Sequence, residues 1–463
     1  MKQFFKRAGQ WVDDRSGISE MLRPLLEHPV PPGSKWAYVF GSATLFCFVL
    51  QVATGVGLAL LYQPSSSDAF QSLQYITHKA TMGKTLRGIH YFGASGMIIM
   101  VGIHMLRVYI TAAYKYPREM SWISGVVLLL LTISMGFTGQ LLRWDDNGVW
   151  SAVVAAEQMG RIPIIGKFIA RLLLGGDTLG GQSLSRFFAY HVFLFPALIF
   201  LFTGFHLWLV VRNGISEPAK PGHLIDPRTY RQWYKNMLRN SGVPFWPYAA
   251  WRDALFGSLT IIAIVVLAVV FGPPELTKPP DPSLIQTSPR PDWYLLWLYA
   301  LFALMPVQIE SYAMFLGPLL IFFLLFALPF FSNKGERSPI KRPWAVVGSV
   351  AVVVMVVSLL VAGYQSTWSP HFEAASVKAA VPAGDTLASA GLVLFQQKAC
   401  LYCHQINGNG GHVGPDLSHV ANRIDSQHML IRIVNGAENM PAYGASLKND
   451  ELTKIVAFLQ TMK

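Results

Sequence analysis

Apolar runs of about 20 residues, the length that crosses a ~30 Å hydrocarbon core, recur along the 463-residue chain between short polar stretches. The pattern predicts seven membrane-crossing helices, at 37–61, 88–112, 122–142, 187–211, 254–272, 312–331 and 343–363. An eighth apolar run, Trp293 to Pro306, is bounded by prolines and too short to cross, so it reads as re-entrant or interfacial. The opening "MKQFFKRAGQWVDDRSG" is charged and amphipathic, shows no cleavable signal, and predicts a helix lying on the membrane surface. Beyond the seventh crossing, residues 366–386 are rich in Ala, Ser, Pro and Val and read as a linker, and 387–463 turn polar like a small soluble domain. The expected fold class is all-α: a transmembrane helical bundle followed by a small all-α domain.

Composition agrees, with 52% hydrophobic and 13% charged residues, which excludes a single soluble domain of this length. The charge distribution adds an orientation. Lys and Arg number 20 on the loops that share a side with the N-terminus and 10 on the opposite loops. The positive-inside rule therefore puts the N-terminus in the cytoplasm and the C-terminal domain outside, as in a bacterial inner-membrane protein. Most of the net charge of +12 is explained by this topology, and no nucleic-acid partner is needed.

The outer domain contains "CLYCH". Cys400 and Cys403 are spaced to bond two haem vinyl groups, and the adjacent His404 would ligate iron. A structural zinc would need two more ligands at matching spacing, and no further cysteine follows. A sixth ligand is expected downstream; Met440 in "NMPAYG" is preferred over His412, His419, His428 and Met429. The closing "NDELTKIVAFLQTM" predicts a packing helix that starts with an Asn/Asp cap.

Four histidines fall inside predicted crossings. His90 and His104 are 14 residues apart, within about 40° of one helix face and about 21 Å apart along it. His191 and His206 are 15 apart, about 60° off register and about 22 Å apart. With the second and fourth helices parallel, His90 would meet His191 near the outside and His104 would meet His206 near the cytoplasm. That builds two stacked bis-imidazole haems in a four-helix bundle. Gly41 and Gly55 on the first helix, and Gly125 and Gly139 on the third, are also 14 apart and would clear space at each level. Arg87, Arg107 and Arg186 lie near these histidines and could pair with haem propionates.

"LRGIHYFGAS", "GIHMLRVYITAAYKYPREMSWISGVVL" and "SRFFAYHVF" resemble the cytochrome b subunit of quinol-oxidising bc1/b6f complexes, and the 15-residue gap is similar to the b6f type. The likeness runs through "PFWPYAAWRDALFG" and "PDWY" to about residue 365, as though the b6f cytochrome and its subunit IV were one polypeptide with a monohaem cytochrome c appended. It implies an amphipathic N-terminus at 1–36, a four-helix haem bundle at 37–215, a subunit IV-like part at 216–365, the linker at 366–386 and the cytochrome c domain at 387–463. It further implies that Asp292 and Tyr294 of "PDWY" stand where relatives carry a Pro-Glu-Trp-Tyr motif, whose carboxylate takes a proton from quinol. A shorter acid there goes with menaquinol. In "LLRWDDNGVW" Arg143 stands where relatives have proline. Arg252 and Asp253 match positions beside the quinone-reducing site. Cys47 in "CFVLQVATG" matches a cysteine that binds an extra covalent haem by one thioether, with Arg212 one position beyond the arginine that accompanies it.

The activity implied is a proton-translocating quinol–cytochrome c oxidoreductase. Its cofactors would be two haem b, one haem c, the extra haem at Cys47, and quinone and quinol. Its partners would be a Rieske iron–sulfur protein, other small membrane or cytochrome subunits, and a soluble or membrane cytochrome c acceptor, around a homodimeric core. The alternative is a quinone-linked haem b/c electron-transfer subunit that does not bifurcate; the last three helices and "PDWY" argue against it.

Overall fold

The structure is a computed structural model and describes residues 2–463 except 177–178, 281–289, 366–380, 383, 399, 411–413, 437–439, 441 and 445. Most of the expected linker, and the competing ligand His412, lie outside the described residues.

Among the described residues, seven helices are long and apolar enough to cross a membrane: Phe40–Ala59, Gly83–Ile110, Glu119–Leu141, Gly181–Asn213, Ala250–Phe271, Tyr312–Phe331 and Pro343–Gln365, the first to seventh membrane helices in this order. Each predicted crossing falls on one of them. The eighth apolar run forms the 11-residue helix Trp293–Ala303, too short to span, packed along the seventh helix. The N-terminal segment forms Lys2–Ser16 and Ile18–Leu26, with Phe4 and Trp11 exposed. Pro29–Val30 then pairs antiparallel with Val243–Pro244 and ties the N-terminal segment to the entrance of the fifth helix.

The first helix packs on the second and fifth, and the third on the fourth. At the loops that share a side with the N-terminal segment, several buried cations stitch distant segments of the membrane part together. Arg118 Nε donates to Gly214 O at 2.8 Å, Lys115 Nζ to Lys334 O at 2.5 Å, and Arg342 Nη1 to Ile110 O at 3.1 Å. Arg337 pairs with the buried Glu217, whose other oxygen accepts from Tyr230 Oη at 2.6 Å. Cations that neutralise backbone carbonyls at helix ends satisfy otherwise orphaned acceptors.

The fourth helix departs from the sequence expectation. Gly181–Ala189 and Phe195–Asn213 are joined through a π-turn at Tyr190–Leu194, which contains His191. A π-turn adds one residue to an α-helix. The 15-residue gap between His191 and His206 therefore turns about as far as a 14-residue gap, about 40° rather than 60° off one face. The second and fourth helices thus present their histidines with the same offset.

The C-terminal domain packs Thr386–Gln397 against Asn449–Gln460 around a core that includes Phe395, Ile406, Met429, Ile455 and Phe458. The last helix is where the sequence placed it, but its cap differs. Lys448 is the N-cap, and Glu451 Oε2 reaches back to accept from the Lys448 N–H at 2.9 Å.

Candidate functional sites

The bundle brings the four membrane histidines together in two levels. The rings of His90 and His191 face each other with centres 6.2 Å apart and planes at 73°. Two imidazoles that each hold one metal at about 2 Å put their centres about 6 Å apart, so this pair has the separation of a bis-histidine site. His104 and His206 lie near enough to influence each other at the other level. The four glycines mark the same levels. A Cβ at Gly55 would meet His90 Cε1 at 3.3 Å and one at Gly139 would meet His191 Cε1 at 2.7 Å; one at Gly41 would meet His104 at 3.1 Å and one at Gly125 would meet His206 at 3.6 Å. All four histidines are only half-buried although they lie mid-helix.

Hydroxyl residues fix three of these rings, and the sequence reading missed them. Thr54 donates its proton to Leu50 O at 2.7 Å, so at 2.9 Å its oxygen accepts from His90 Nδ1. Ser124 donates to Ser121 O at 3.0 Å and accepts from His206 Nδ1 at 2.8 Å. Thr138 donates to Ser134 O at 2.9 Å and, with Met135 O, accepts from His191 Nδ1. In each ring the proton is held on Nδ1, which leaves the Nε2 lone pair for a metal. The signal was visible: each hydroxyl residue immediately precedes one of the glycines, in "TG", "SG" and "TG". These donors, separations and cradles fit haem.

The arginines divide. Arg107 lies over the Tyr38 ring at 3.9 Å, and its buried Nε has no partner among the described residues, which suits an incoming propionate. Arg87 spends Nη1 on Thr77 Oγ1 and Nη2 on Pro274 O, and Arg186 spends Nη1 on Leu172 O. Arg212 is exposed and stacks on Trp208 of its own helix. Arg252 Nη1 donates to Tyr248 O at 2.8 Å, and Asp253 reaches Ser42, next to Gly41 and thus near the His104 level.

Cys47 behaves differently from the histidines. It is 0% exposed, enclosed with Phe48, Met97, Ile199 and Ile264, and its Sγ lies 3.7 Å from where a Gly96 Cβ would be. No surface of the thiol is open to a group of haem size, so its surroundings as packed do not fit the extra covalent haem. Cys400 and Cys403, by contrast, are half-buried beside His404. His404 Nδ1 donates to Pro415 O at 2.9 Å, freeing Nε2, and a Cβ at Gly414 would sit 2.7 Å from the ring. Met440 packs half-buried against the same core, whereas Met429 is buried within it, His428 pairs with Asp425 at the surface, and His419 bonds Lys463 O.

The loop after the third helix and the segments on either side of 281–289 form a cluster at the His90/His191 end of the bundle. Asp292 is the N-cap of Trp293–Ala303, and Tyr294 Oη donates to its Oδ2 at 3.3 Å. Gln140 holds this segment: its Oε1 accepts from the Asp292 N–H at 3.3 Å, and its Nε2 donates to Arg290 O. Gly136 lets the third helix approach, since a Cβ there would lie 2.7 Å from Tyr294 Oη. Asp145, fully buried, accepts from Gly148 N at 2.9 Å, Thr277 N at 3.0 Å and Arg143 Nη2 at 2.5 Å. Burial raises the Asp292 pKa from its ordinary value; the Arg143 cation opposes that rise. Neither Gln140 nor Asp145 was singled out from sequence, because Asp292, Arg290 and Thr277, the partners that tie them into this cluster, lie more than a hundred residues away.

Comparison with known proteins matches three family models along the chain. A cytochrome b/b6/petB family model matches residues 25–214, a cytochrome b(C-terminal)/b6/petD model residues 279–381, and a cytochrome C oxidase, cbb3-type, subunit III model residues 386–459. Cytochrome b6 of Rippkaea orientalis is 38% identical over 209 residues, which is 45% of this chain and 94% of that protein; cytochrome b6 of Crocosphaera subtropica matches to the same extent. A solved structure titled hyperthermophilic respiratory Complex III has a TM-score of 0.66 and 29% identity, covering 77% of this chain and 91% of its own. The chain belongs to the cytochrome b/b6 family, as a b6f-like membrane subunit of quinol-oxidising bc-type complexes that carries its own cytochrome c domain.

Proposed function

We propose that this chain is the cytochrome b and c subunit of a proton-translocating quinol oxidoreductase that oxidises quinol, menaquinol by preference, at the outer face and reduces quinone at the cytoplasmic face. The observation that carries the reading is the pairing of two histidine levels with one half-buried carboxylate at the outer end of the same bundle. His90 with His191, and His104 with His206, would hold two haem b; Cys400, Cys403, His404 and Met440 would hold one haem c. Haem at these places would supply one-electron transfer across the membrane and to an outer acceptor.

The residues of the chain do the proton work. Asp292, held by Gln140 and touched by Tyr294, accepts a proton as the quinol O–H bond breaks and passes it outward. One electron of the pair goes to a Rieske iron–sulfur partner and on toward a cytochrome c acceptor; the other goes inward, where Asp253 and Arg252 flank quinone reduction. The complex is a homodimer in a bacterial inner membrane, with its N-terminus cytoplasmic and its cytochrome c domain outside.

The test is quinol-driven haem reduction in the purified complex. Asp292→Asn should slow reduction of the c haem by about 10²-fold or more while leaving the haem spectra intact. Unchanged quinol oxidation in that variant would refute Asp292 as the proton acceptor.

A further inference from the structure

We propose that Arg143 is an electrostatic positioning residue of the outer quinol site: anchored on Asp145, its guanidinium holds the Asp292 carboxylate in its charged, proton-accepting form. The inference rests on the reading of Asp292 as proton acceptor and adds the group that readies it.

The geometry is that of a fixed cation. Arg143 Nη2 contacts Asp145 Oδ2 at 2.5 Å and Glu275 O at 3.4 Å, so the side chain is clamped between its own loop and the segment after the fifth helix. Asp145 cannot move to follow it, because Gly148 N and Thr277 N hold both of its oxygens and the carboxylate is wholly buried. Clamping one end leaves Nε buried and without a hydrogen-bond partner among the described residues. A buried donor with no acceptor costs stability, so its presence calls for a role. The same loop is stitched to the Asp292 segment, through Asn147 Oδ1 to Arg290 N at 2.9 Å and Gln140 to Asp292 N, so the cation and the acid share one rigid frame.

Among the described residues, the groups facing Asp292 are few. Arg143 and Asp145 come from the loop after the third helix, Tyr294 from its own helix, and Tyr91 from the second helix. Burial disfavours the charged carboxylate, Asp145 adds to that, and Arg143 is the largest influence in the other direction, ahead of the Tyr294 hydrogen bond. Removing Arg143 therefore raises the Asp292 pKa, and the acidic limb of quinol oxidation moves to higher pH. The step itself is unchanged: the quinol O–H bond breaks, the proton moves to Asp292, and the two electrons leave for the iron–sulfur partner and the bundle.

The experiment is the pH profile of kcat/KM for a short-chain naphthoquinol, read by c-haem reduction in the intact complex. Arg143→Gln should move the acidic limb upward by about one pH unit, with KM little changed, and Arg143→Lys should restore the wild-type limb. Haem spectra report whether Arg143→Gln assembles. If it does not, the double variant Arg143→Gln/Asp145→Asn removes the buried pair as a unit and should show a smaller shift in the same direction. A wild-type limb in the assembled variants, or a raised KM with an unshifted limb, overturns the proposal. Either result leaves the Asp292 reading standing as long as Asp292→Asn abolishes turnover; if that variant turns over normally, it is the reading beneath that fails.

Discussion

The two ends of the four-helix bundle use the same parts to different degrees of closure. At the His90/His191 end, Thr54 and Thr138 orient both histidines, Gly139 approaches His191 to where a Cβ would stand at 2.7 Å, and the loop after the third helix is tied through Gln140 to Asp292 and through Asp145 to Thr277. At the His104/His206 end, a hydroxyl is bonded to His206, Gly125 leaves 3.6 Å, and Arg107 keeps an unpartnered Nε among the described residues. The His90/His191 end thus fixes an acid beside its histidines and holds the tightest glycine contact, at Gly139, whereas the His104/His206 end holds the widest, at Gly125, with Gly41 and Gly55 alike at 3.1 and 3.3 Å. Where a reaction must release a proton in one direction, rigidity belongs at the site of proton capture.

The largest effect that would break this comparison is loss of a ligand. His191→Ala should abolish the outer haem b signal and stop the inward electron branch. His206→Ala should remove only the inner haem b signal, leaving quinol able to reduce the outer one, as redox-difference spectra will show. Next in size is packing at the glycines. Gly139→Ala should disturb the outer level, costing about 1–3 kcal/mol in overpacking and lowering outer haem occupancy. Gly125→Ala should leave the inner level near wild type; equal disturbance would mean that the ends are equally tight. Smaller still is the hydroxyl support: Thr138→Val should weaken outer haem retention by about tenfold, measured by haem loss under mild denaturant. Cys47→Ala should have the least effect, leaving one covalent haem per chain on a haem-stained gel; loss of a second covalent haem would show that the enclosure around Cys47 opens.

The seven crossings and both histidine levels were legible because each rests on a local period: about 20 apolar residues for a span, and 14-residue spacing for two levels on one helix. The offset on the fourth helix was not legible, since a π-turn is a backbone event with no residue signature in "YHVFL". The hydroxyl partners were half legible, as residues that precede the glycines in sequence but that only helix packing turns toward the imidazoles. The clamp at Asp292 was hidden for another reason. Asp145 meets Thr277 across 132 residues and Gln140 meets Asp292 across 152, so nothing in the short phrase "PDWY" announces which cation stands beside its acid. Cys47 shows the reverse case, in which a matching phrase implied a ligand site and the packing around the thiol leaves it enclosed.

The central claim is that one quinol at the outer site sends its electrons in two directions. With the cytoplasmic quinone site inhibited and quinol in excess, a pulse of oxidant that oxidises the c haem should cause transient reduction of haem b. A haem b that stays oxidised, or follows the c haem toward oxidation, would contradict the account.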